Sequence, residues 1–303
     1  MKKKLIVRLA AGLGNQLFMY AHSYSLSKKL NYDFFIDDTS GFFQKKNQSR
    51  ERVFRLNFFN INAPVIKKKF KFDNYYTHNY RKILKVLDIF KKKKSFLIES
   101  QKNSKMTLFK KNNLSFSNIL YIEGNYESEK YFLDSRNDLI QQFKVKKEFI
   151  EQKNKYIDML ANSNSVSIHI RRDRFMEPGT FSYRGSQVKK DINLEDVFDY
   201  IYKAVNFFEK KIKNPKFFIW SNNFSDLDKK FDKNKFTFIQ NNNLIKDFYL
   251  FSFTKHFIVS PSSYHWWGAW LNTNPNKICV RPPDFLNPSN NIDFWPFNWK
   301  VLV

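Results

Sequence analysis

The sequence of 303 residues is long enough for about two domains. Hydrophobic residues make up 42% of it and include 35 Phe, 15 Tyr and 6 Trp, so the chain can build large cores and is not of the disordered class. The net charge of +25 predicts an anionic partner: nucleic acid, an acidic membrane surface or a phosphorylated small molecule. The single cysteine, Cys279, cannot form an internal disulfide bond, which favours a reducing compartment such as the cytoplasm.

The amino terminus is predicted to be a β-strand and not a targeting segment. Lysines precede the apolar residues Leu5, Ile6 and Val7, but Arg8 ends the apolar run, which is too short for a signal peptide. No window of about 18 uninterrupted apolar residues occurs, so no transmembrane helix is expected. We therefore expect residues 4–9 to form the first strand.

A loop and a helix follow this strand. Residues 10–14 are small and predict the loop, Asn15 is expected to cap the helix, and residues 33–37 predict a second strand, which completes one βαβ unit. The loop falls short of a dinucleotide-binding G-x-G-x-x-G pattern because Leu17 stands at the last glycine position. Its polar side chains are expected to face a ligand cleft, and a simple tight turn is the alternative.

The segment 40–115 contains no recognisable motif. Between residues 65 and 94 there are eleven Lys and Arg against two Asp. We expect a solvated surface of helices and loops; the alternative is an electrostatic membrane patch, at about 1 kcal/mol per basic residue near anionic lipid. Residues 119–124 predict another strand, and residues 128–160 are expected to be helical and to lead out of the first domain.

The second half alternates strands and helices, which predicts a doubly wound parallel sheet. The predicted strands are 166–170, 217–220, 236–239, 257–259 and 278–280, and the predicted helices are 194–209, 226–231, 247–253 and 264–271. The chain is therefore expected to form two α/β domains, 1–155 and 156–303, with a tail that can return to the first. A ligand cleft is expected between them, at the ends of the strands.

One candidate site follows the strand 166–170. His169 and Arg171 share one face of that strand and Arg172 faces the other. At a strand's carboxyl end, Arg171 can donate two hydrogen bonds to a phosphate, and Asp173 can orient an arginine or accept a proton. A surface cluster of ion pairs is the alternative.

A second candidate is the segment 260–270 (SPSSYHWWGAW). Ser262 and Ser263 lie between a strand and a helix, where free backbone N–H groups and the positive helix end can bind an anion; simple capping by these serines is the alternative. The indoles of Trp266, Trp267 and Trp270 are expected to pack in the core, and a platform on which a ligand stacks is the alternative.

No motif indicates a metal site or an activated nucleophile. HExxH, CxxC and GxSxG are absent, and the five histidines lack ligand spacing. A turn accounts for the acidic pair Asp37-Asp38. A metal-independent site is expected, in which Arg171, Arg172 and the helix start at Ser262 neutralise a departing diphosphate.

Three motifs occur together in this chain: AGLGNQLFMYA near the start, SIHIRRD in the middle and KDFYLFSFTKHFIVSPSSYHWWGAWLN near the end. In sequence, order and separation they resemble the bacterial α-1,2-fucosyltransferases of glycosyltransferase family 11. The resemblance implies a GT-B-like pair of Rossmann-type domains with parallel sheets facing across a cleft. It also implies GDP-fucose as donor, no essential metal or cofactor, and inversion at the anomeric carbon.

The resemblance also implies roles for individual residues. Arg171 would hold the β-phosphate, and Ser262 and Ser263 would bind the diphosphate. His169 and Asp247 would approach the guanine. Asn15 would lie near fucose and the acceptor hydroxyl. The remaining residues implied at the donor site are Arg172, Gly14, Gln16 and Ser221. Two departures from the family pattern occur: Asp173 directly follows the second arginine, with Arg174 at the usual acidic position, and Ser221-Asn222-Asn223 replaces S-D-D.

The expected reaction is transfer of L-fucose from GDP-fucose to the 2-hydroxyl of a terminal galactose-type sugar on a surface glycan, as in O-antigen or lipid-linked polysaccharide synthesis. Asp173 is the first candidate for the general base and Glu177 the second. We expect a cytoplasmic protein with possible peripheral contact to the anionic inner leaflet. The alternatives are a transferase that uses another GDP-sugar and a basic nucleic-acid-binding protein, although no nucleic-acid-binding motif occurs.

Overall fold

The computed structural model describes residues 2–43, 52–99, 109–111, 113–150, 154–172, 194–240, 242–289 and 291–302. Contacts between residues divide the chain into two compact units, of which the first ends at Lys144 and the second begins at Val145. The boundary expected between residues 155 and 156 falls within the second unit. Each unit contains its own parallel sheet.

The first unit has a four-stranded parallel sheet in the order β2-β1-β4-β3. Its strands are β1 (Lys4–Arg8), β2 (Asp33–Asp37), β3 (Lys94–Ile98) and β4 (Phe116–Glu123). Its helices are α1 (Leu13–Leu30), α2 (Tyr75–Asp88) and α3 (Arg136–Gln142). The predictions for β1, β2 and β4 are confirmed, whereas β3 lies where only helices and loops were expected.

The core of this unit is built on β1. Leu5, Ile6 and Val7 are all buried, as expected for a parallel strand that is covered on both faces. α1 adds the buried side chains of Leu17 and Phe18. β1 pairs with β2 on one side and with β4 on the other, so the topological switch point lies at the carboxyl ends of β1 and β4.

The segment 128–160 is helical only in short pieces, which corrects the prediction. Among them are α3 and α4 (Lys155–Ala161), together with short 3-10 turns. The backbone leaves the helical region at Phe132 (φ −141°, ψ 11°), between two 3-10 turns that precede α3. It leaves the helical region again at Phe143, where α3 ends. Both rings are buried, so their packing determines the local backbone more than helical propensity does.

The second unit has a six-stranded parallel sheet in the order β10-β9-β8-β5-β6-β7. Its strands are β5 (Asn164–Ile170), β6 (Pro215–Ser221), β7 (Phe236–Phe238), β8 (His256–Ile258), β9 (Cys279–Arg281) and β10 (Lys300–Val301). Its further helices are α5 (Leu194–Lys211), α6 (Leu227–Lys230), α7 (Leu244–Leu250) and α8 (Ser263–Leu271). The five predicted strands are confirmed, and β10 extends the sheet.

The strand order of this sheet determines where a ligand can bind. β5 pairs with β6 on one side and with β8 on the other, so the switch point lies at the carboxyl ends of β5 and β8. The β5 side chains of Val166, Ile168 and Ile170 are buried, and the apolar residues of α5 pack in the same core. Trp266, Trp267 and Trp270 of α8 are buried, which confirms their predicted place in the core.

None of the helices in the described ranges combines the length and the apolar character that are needed to cross a bilayer.

Candidate active site

The carboxyl ends of β5 and β8 meet through a pair of polar side chains. His169 is the penultimate residue of β5, and its Nδ1 lies 3.2 Å from the hydroxyl oxygen of Ser260, which follows β8. Arg171 and Arg172 come directly after β5, and α8 begins three residues after Ser260. The two motifs predicted as sites therefore lie together at the switch point of the second unit, where doubly wound sheets bind ligands.

His169 is held in its neutral form. Burial, together with the nearby charge of Arg171, lowers the pKa of its imidazole to about 3. Its ring lies 5.5 Å from that of Tyr264, measured between centroids. A neutral imidazole that contacts Ser260 through Nδ1 can offer its other nitrogen to a ligand as a donor or an acceptor, but it adds no charge to the site.

The two arginines differ in their surroundings. The charge of Arg171 is close enough to His169 to affect its titration. The backbone N–H of Arg172 donates to the side-chain oxygen of Asn222 at 3.0 Å. The Nε and Nη1 atoms of Arg172 are shielded from water and, within the described residues, have no hydrogen-bond partner. Shielded cationic donors without partners are costly, so this guanidinium is prepared to bind an anion.

The loop between β8 and α8 is held by His265. Its Nδ1 accepts a hydrogen bond from the backbone N–H of Ser260 at 3.1 Å, so the proton is on Nε2, which lies 2.7 Å from the hydroxyl of Ser167 on β5. His265 is fully buried, and this burial keeps its pKa well below the ordinary range. A neutral histidine therefore links β5 to the loop that carries Ser260.

Sequence reasoning did not assign this role to His265. The residue lies within the SPSSYHWW motif, but nothing in the sequence pairs it with Ser167, which is 98 positions away. The alternation of β5 offered one signal, since Ser167 shares a strand face with His169.

Ser262 and Ser263 stand at the start of α8. Ser262 is the N-cap residue, its side-chain oxygen accepts from the backbone N–H of Tyr264 at 3.2 Å, and it is fully buried. This is the capping arrangement that was the alternative for Ser262. Ser263 is the first helical residue. The positive end of α8 therefore faces the switch point, while the Ser262 hydroxyl stabilises the helix end.

Asp247 carries a perturbed carboxyl group on α7. Burial raises its pKa to about 6, although the amide of Asn242, which donates to its Oδ1 at 3.1 Å, and the indole of Trp220 act in the opposite direction. The hydroxyl of Tyr264 donates to the backbone oxygen of Leu244 at 2.6 Å, which ties the start of α7 to α8. Asp247 is thus on an element fixed to the loop that carries the candidate site.

The hydroxyl of Ser221 forms hydrogen bonds with the protein's own backbone. Ser221 is paired with Ile170 in the sheet, and its hydroxyl lies 2.8 Å from the backbone oxygen of Ile170 and 2.7 Å from that of Asn223. The same hydroxyl accepts from the Asn223 backbone N–H. Ser221 therefore shapes the ends of β5 and β6, next to Arg171.

The first unit has a polar contact at its own switch point. α1 begins after Gly12, which is its N-cap residue, so Asn15 lies in the first turn and does not cap the helix as predicted. The amide nitrogen of Asn15 instead donates to the carboxylate of Glu127 at 3.2 Å. Glu127 follows β4, and no sequence motif marked it.

The side chain of Gln16 is fully engaged in holding the loop. Its amide nitrogen donates to the backbone oxygens of Ala11 at 3.0 Å and Val53 at 2.9 Å, and its oxygen accepts from the backbone N–H of Arg55 at 2.9 Å. Gln16 is fully buried. Ala11 is held in the left-handed region (φ 63°), a conformation that these hydrogen bonds help to maintain. Gly14 is buried in the first turn of α1.

Three further sequence predictions concern acidic groups. Asp37, the last residue of β2, accepts hydrogen bonds from the backbone N–H groups of Thr39 and Ser40, so it stabilises the turn that follows the strand, as expected. Asp173 and Glu177, the two candidates for the general base, lie outside the described residues. Within the described ranges, no three His, Cys, Asp or Glu side chains are grouped so that they could hold a metal ion.

Comparison with known proteins gives a family and a fold. The sequence model of "Glycosyl transferase family 11" matches residues 2–287. An Escherichia coli protein named alpha-1,2-colitosyltransferase is 29% identical, with 97% of each chain covered. The Escherichia coli O-antigen biosynthesis glycosyltransferase WbnK is 27% identical, with 97% of this chain and 99% of the relative covered.

Two solved structures share the fold. A mutant of Arabidopsis thaliana FUT1 in complex with GDP superposes with a TM-score of 0.51 and 10% identity, covering 94% of this chain and 72% of that one. POFUT1 in complex with GDP gives a TM-score of 0.51 and 11% identity, covering 91% and 97%. These similarities, together with the two parallel sheets, confirm the predicted GT-B-like α/β class.

Proposed function

The chain belongs to glycosyl transferase family 11, and from this we propose that it transfers L-fucose from GDP-fucose to the 2-hydroxyl of a terminal galactose-type sugar on a surface glycan. The observation that carries the proposal is the 3.2 Å contact between His169 and Ser260. This contact brings the arginines after β5 and the start of α8 to one edge of the second sheet, where a nucleoside diphosphate could bind both.

The pyrophosphate of the donor would be bound by cationic and helix-terminal groups. Arg171 and Arg172 can each donate two hydrogen bonds to phosphate oxygens. The Nε and Nη1 atoms of Arg172, which have no hydrogen-bond partner among the described residues, support this role. The amino-terminal end of α8 adds partial positive charge. We expect these groups to replace a metal ion, so that the reaction proceeds without one.

The guanine base would be recognised by His169 and Asp247. A carboxylate can accept the two adjacent N–H groups of a guanine edge, and the neutral imidazole of His169 can supply one more hydrogen bond. The tie between Tyr264 and Leu244 supports this grouping, because it fixes the helix of Asp247 against the helix that follows Ser260.

The chemical step would invert the anomeric carbon. The acceptor 2-hydroxyl oxygen forms a bond to C1 of fucose as the bond from C1 to the β-phosphate oxygen breaks, and the negative charge passes to GDP. Arginine and helix-end donors stabilise that charge, which is typically worth about 3–4 kcal/mol for each well-placed contact. The hydroxyl proton passes to a carboxylate, for which Asp173 and Glu177 are the candidates.

The first-unit loop is proposed to support the sugar end of the reaction. Asn15 is the candidate contact to fucose and the acceptor, and its hydrogen bond to Glu127 would orient its amide. Gly14 and Gln16 would act indirectly, by letting the loop approach closely and by holding its backbone. Ser221 would likewise act by fixing the backbone beside Arg171.

A colitosyl donor is the second candidate, because the 29% identical relative is named for that activity. Colitose differs from fucose by the loss of the 3-hydroxyl. A site built to bind that hydroxyl disfavours the analogue without it by about 10⁴-fold or more, whereas an apolar pocket rejects an added hydroxyl by only about 10²-fold. The size of the preference therefore distinguishes the two specificities.

The experiment is a donor and acceptor panel with a chelator present throughout. GDP-fucose, GDP-colitose and GDP-mannose are compared by kcat/KM on galactose- and N-acetylgalactosamine-terminated acceptors, and the product linkage is determined by NMR. We expect the highest kcat/KM with GDP-fucose and an α-1,2 product. A strong preference for GDP-colitose would contradict the fucosyl assignment, and loss of activity with the chelator would contradict metal independence.

A further inference from the structure

Helix α2 of the first unit carries its apolar side chains on the face turned towards solvent. Tyr76, Tyr80, Ile83 and Leu87 lie on α2, and Phe90 lies in the turn that follows it. The five are spaced alternately by four and three positions, which is the spacing of residues along one side of a helix. All five are between 52% and 83% exposed. We refer to these five residues as the α2 stripe.

The opposite face of α2 is polar and holds the helix to the sheet. Arg81 and Lys85 both pair with Glu123, at the carboxyl end of β4, and Lys85 does so at 2.9 Å. Asp88 is buried and accepts two backbone N–H groups of β3, at 2.8 and 3.1 Å. A helix normally buries its apolar face. α2 does the reverse, so the described residues of its own unit leave the α2 stripe uncovered.

Basic side chains surround the α2 stripe in sequence. Exposed lysines precede the helix at residues 67–69, lie on it at Lys82 and follow it at residues 91–93. Between residues 65 and 94 the only acidic residues are Asp73 and Asp88, and Asp88 is buried. An apolar strip bordered by lysines complements a surface that is apolar inside and anionic outside.

The charge also argues against other occupants. Two copies of a chain with a net charge of +25 repel each other, which disfavours pairing through a stripe bordered by lysines. A nucleic acid would satisfy the lysines but would leave the aliphatic side chains of Ile83 and Leu87 in water. An anionic bilayer satisfies both, because the headgroups carry charge and the acyl region accepts apolar side chains.

We propose that the α2 stripe is a membrane-docking surface that inserts at the headgroup level of an anionic bilayer. Interfacial helices have this composition, with aromatic and aliphatic residues on one side and lysines at the border. The apolar contact distinguishes this proposal from a purely electrostatic patch: salt should weaken binding without abolishing it. The inference does not depend on which donor or acceptor the protein uses.

The first test measures binding of the full chain to vesicles of phosphatidylcholine with and without phosphatidylglycerol. We expect binding to the anionic vesicles, and the double substitution Ile83→Glu/Leu87→Glu should raise the lipid concentration for half-maximal binding by at least about tenfold. The matched control is Ile292→Glu/Phe297→Glu, which makes the same charge change at two exposed apolar residues of the second unit. The control should stay within about twofold of the original protein.

The second test reports on insertion itself. The only native cysteine, Cys279, is buried, so a polarity-sensitive fluorophore can be attached selectively to Ile83→Cys. Its emission should shift to the blue when anionic vesicles are added, whereas the same label on Phe297→Cys should not respond.

Two outcomes would overturn the proposal. One is equal vesicle binding by the original protein and the Ile83→Glu/Leu87→Glu variant. The other is a lipid-free dimer that this variant converts to a monomer, which would assign the α2 stripe to a second copy. Transfer to a water-soluble acceptor should be unchanged in the variant, which shows that it is folded. If the original protein binds vesicles as expected but shows no fucosyltransferase activity, the docking surface is supported and only the proposed function is rejected.

Discussion

Arg171 and Arg172 are the residues on which the proposed charge stabilisation depends most directly. Replacing either with lysine keeps the charge but removes the planar pair of donors. We expect Arg171→Lys and Arg172→Lys each to lower kcat by about 10²–10³-fold at saturating donor. Arg52→Lys, at an exposed position of the first unit, is the control and should leave kcat unchanged. Near-normal turnover by Arg171→Lys would contradict its role at the β-phosphate.

The raised pKa of Asp247 affects stability and, if the proposed guanine contact is correct, donor binding as well. The ordinary pKa is 3.8 and the folded-state value is about 6, so folding favours the protonated form. Stability therefore falls as the pH rises from about 4 to about 6, by up to about 3 kcal/mol. The proposed recognition of guanine has the opposite dependence, because it would need the ionised carboxylate. We expect GDP affinity to fall as the pH drops below about 6.

The substitution Asp247→Asn separates these two effects. At pH 8 it removes a buried charge, so the free energy of unfolding should rise, by up to about 3 kcal/mol, while GDP binds more weakly. Denaturant unfolding and calorimetric GDP titration measure the two quantities. Asp228→Asn, at an exposed carboxylate paired with Lys233, is the control and should leave the free energy of unfolding nearly unchanged. Unchanged GDP affinity in Asp247→Asn would remove Asp247 from the guanine site.

At the scale of elements, α8 approaches Phe251 closely at Gly268. A Cβ at Gly268 would lie 2.5 Å from Phe251 Cδ2, so α8 would have to move away. We expect Gly268→Ala to reduce the free energy of unfolding by about 1–3 kcal/mol and to weaken GDP binding through displacement of the helix end. Gly12→Ala is the matched control, since nothing lies within 4 Å of its Cβ position. Equal effects of the two substitutions on stability would show that this packing is unimportant.

The elements that sequence reasoning predicted share one property: their apolar residues are buried in a pattern typical of the element, a continuous run in β1 and regular spacing in β5 and α5. β1, β5 and α5 are of this kind, and their buried residues follow the expected spacing. β3 was missed because lysines precede it and only two of its residues, Phe96 and Leu97, are buried. The regularly spaced apolar residues of α2 lie on its exposed side. A prediction that places every apolar helix face in the core would therefore orient this helix incorrectly.

The residues of the candidate site likewise divide into those that the sequence predicted and those that it did not. His169, Arg171 and Ser262 were predictable because each lies at a strand or helix end within a short motif. His265 and Glu127 were not, because their roles come from contacts with Ser167 and Asn15 across 98 and 112 positions of the chain. Only the order of the strands brings such residues together, and one sequence alone does not give that order.

At the scale of the whole molecule, the residues proposed to bind GDP all belong to the second unit. A ligand that binds only the folded state slows the hydrogen exchange of those backbone amides that become exposed when its binding site unfolds. At a ligand concentration of 100 times Kd, the exchange of these amides slows by about 100-fold. With GDP, hydrogen exchange should therefore slow in β5, α7 and the loop before α8. The amides of α1, in the first unit, provide the internal comparison and should be less affected. Protection confined to the first unit would contradict the placement of the nucleotide at the end of β5.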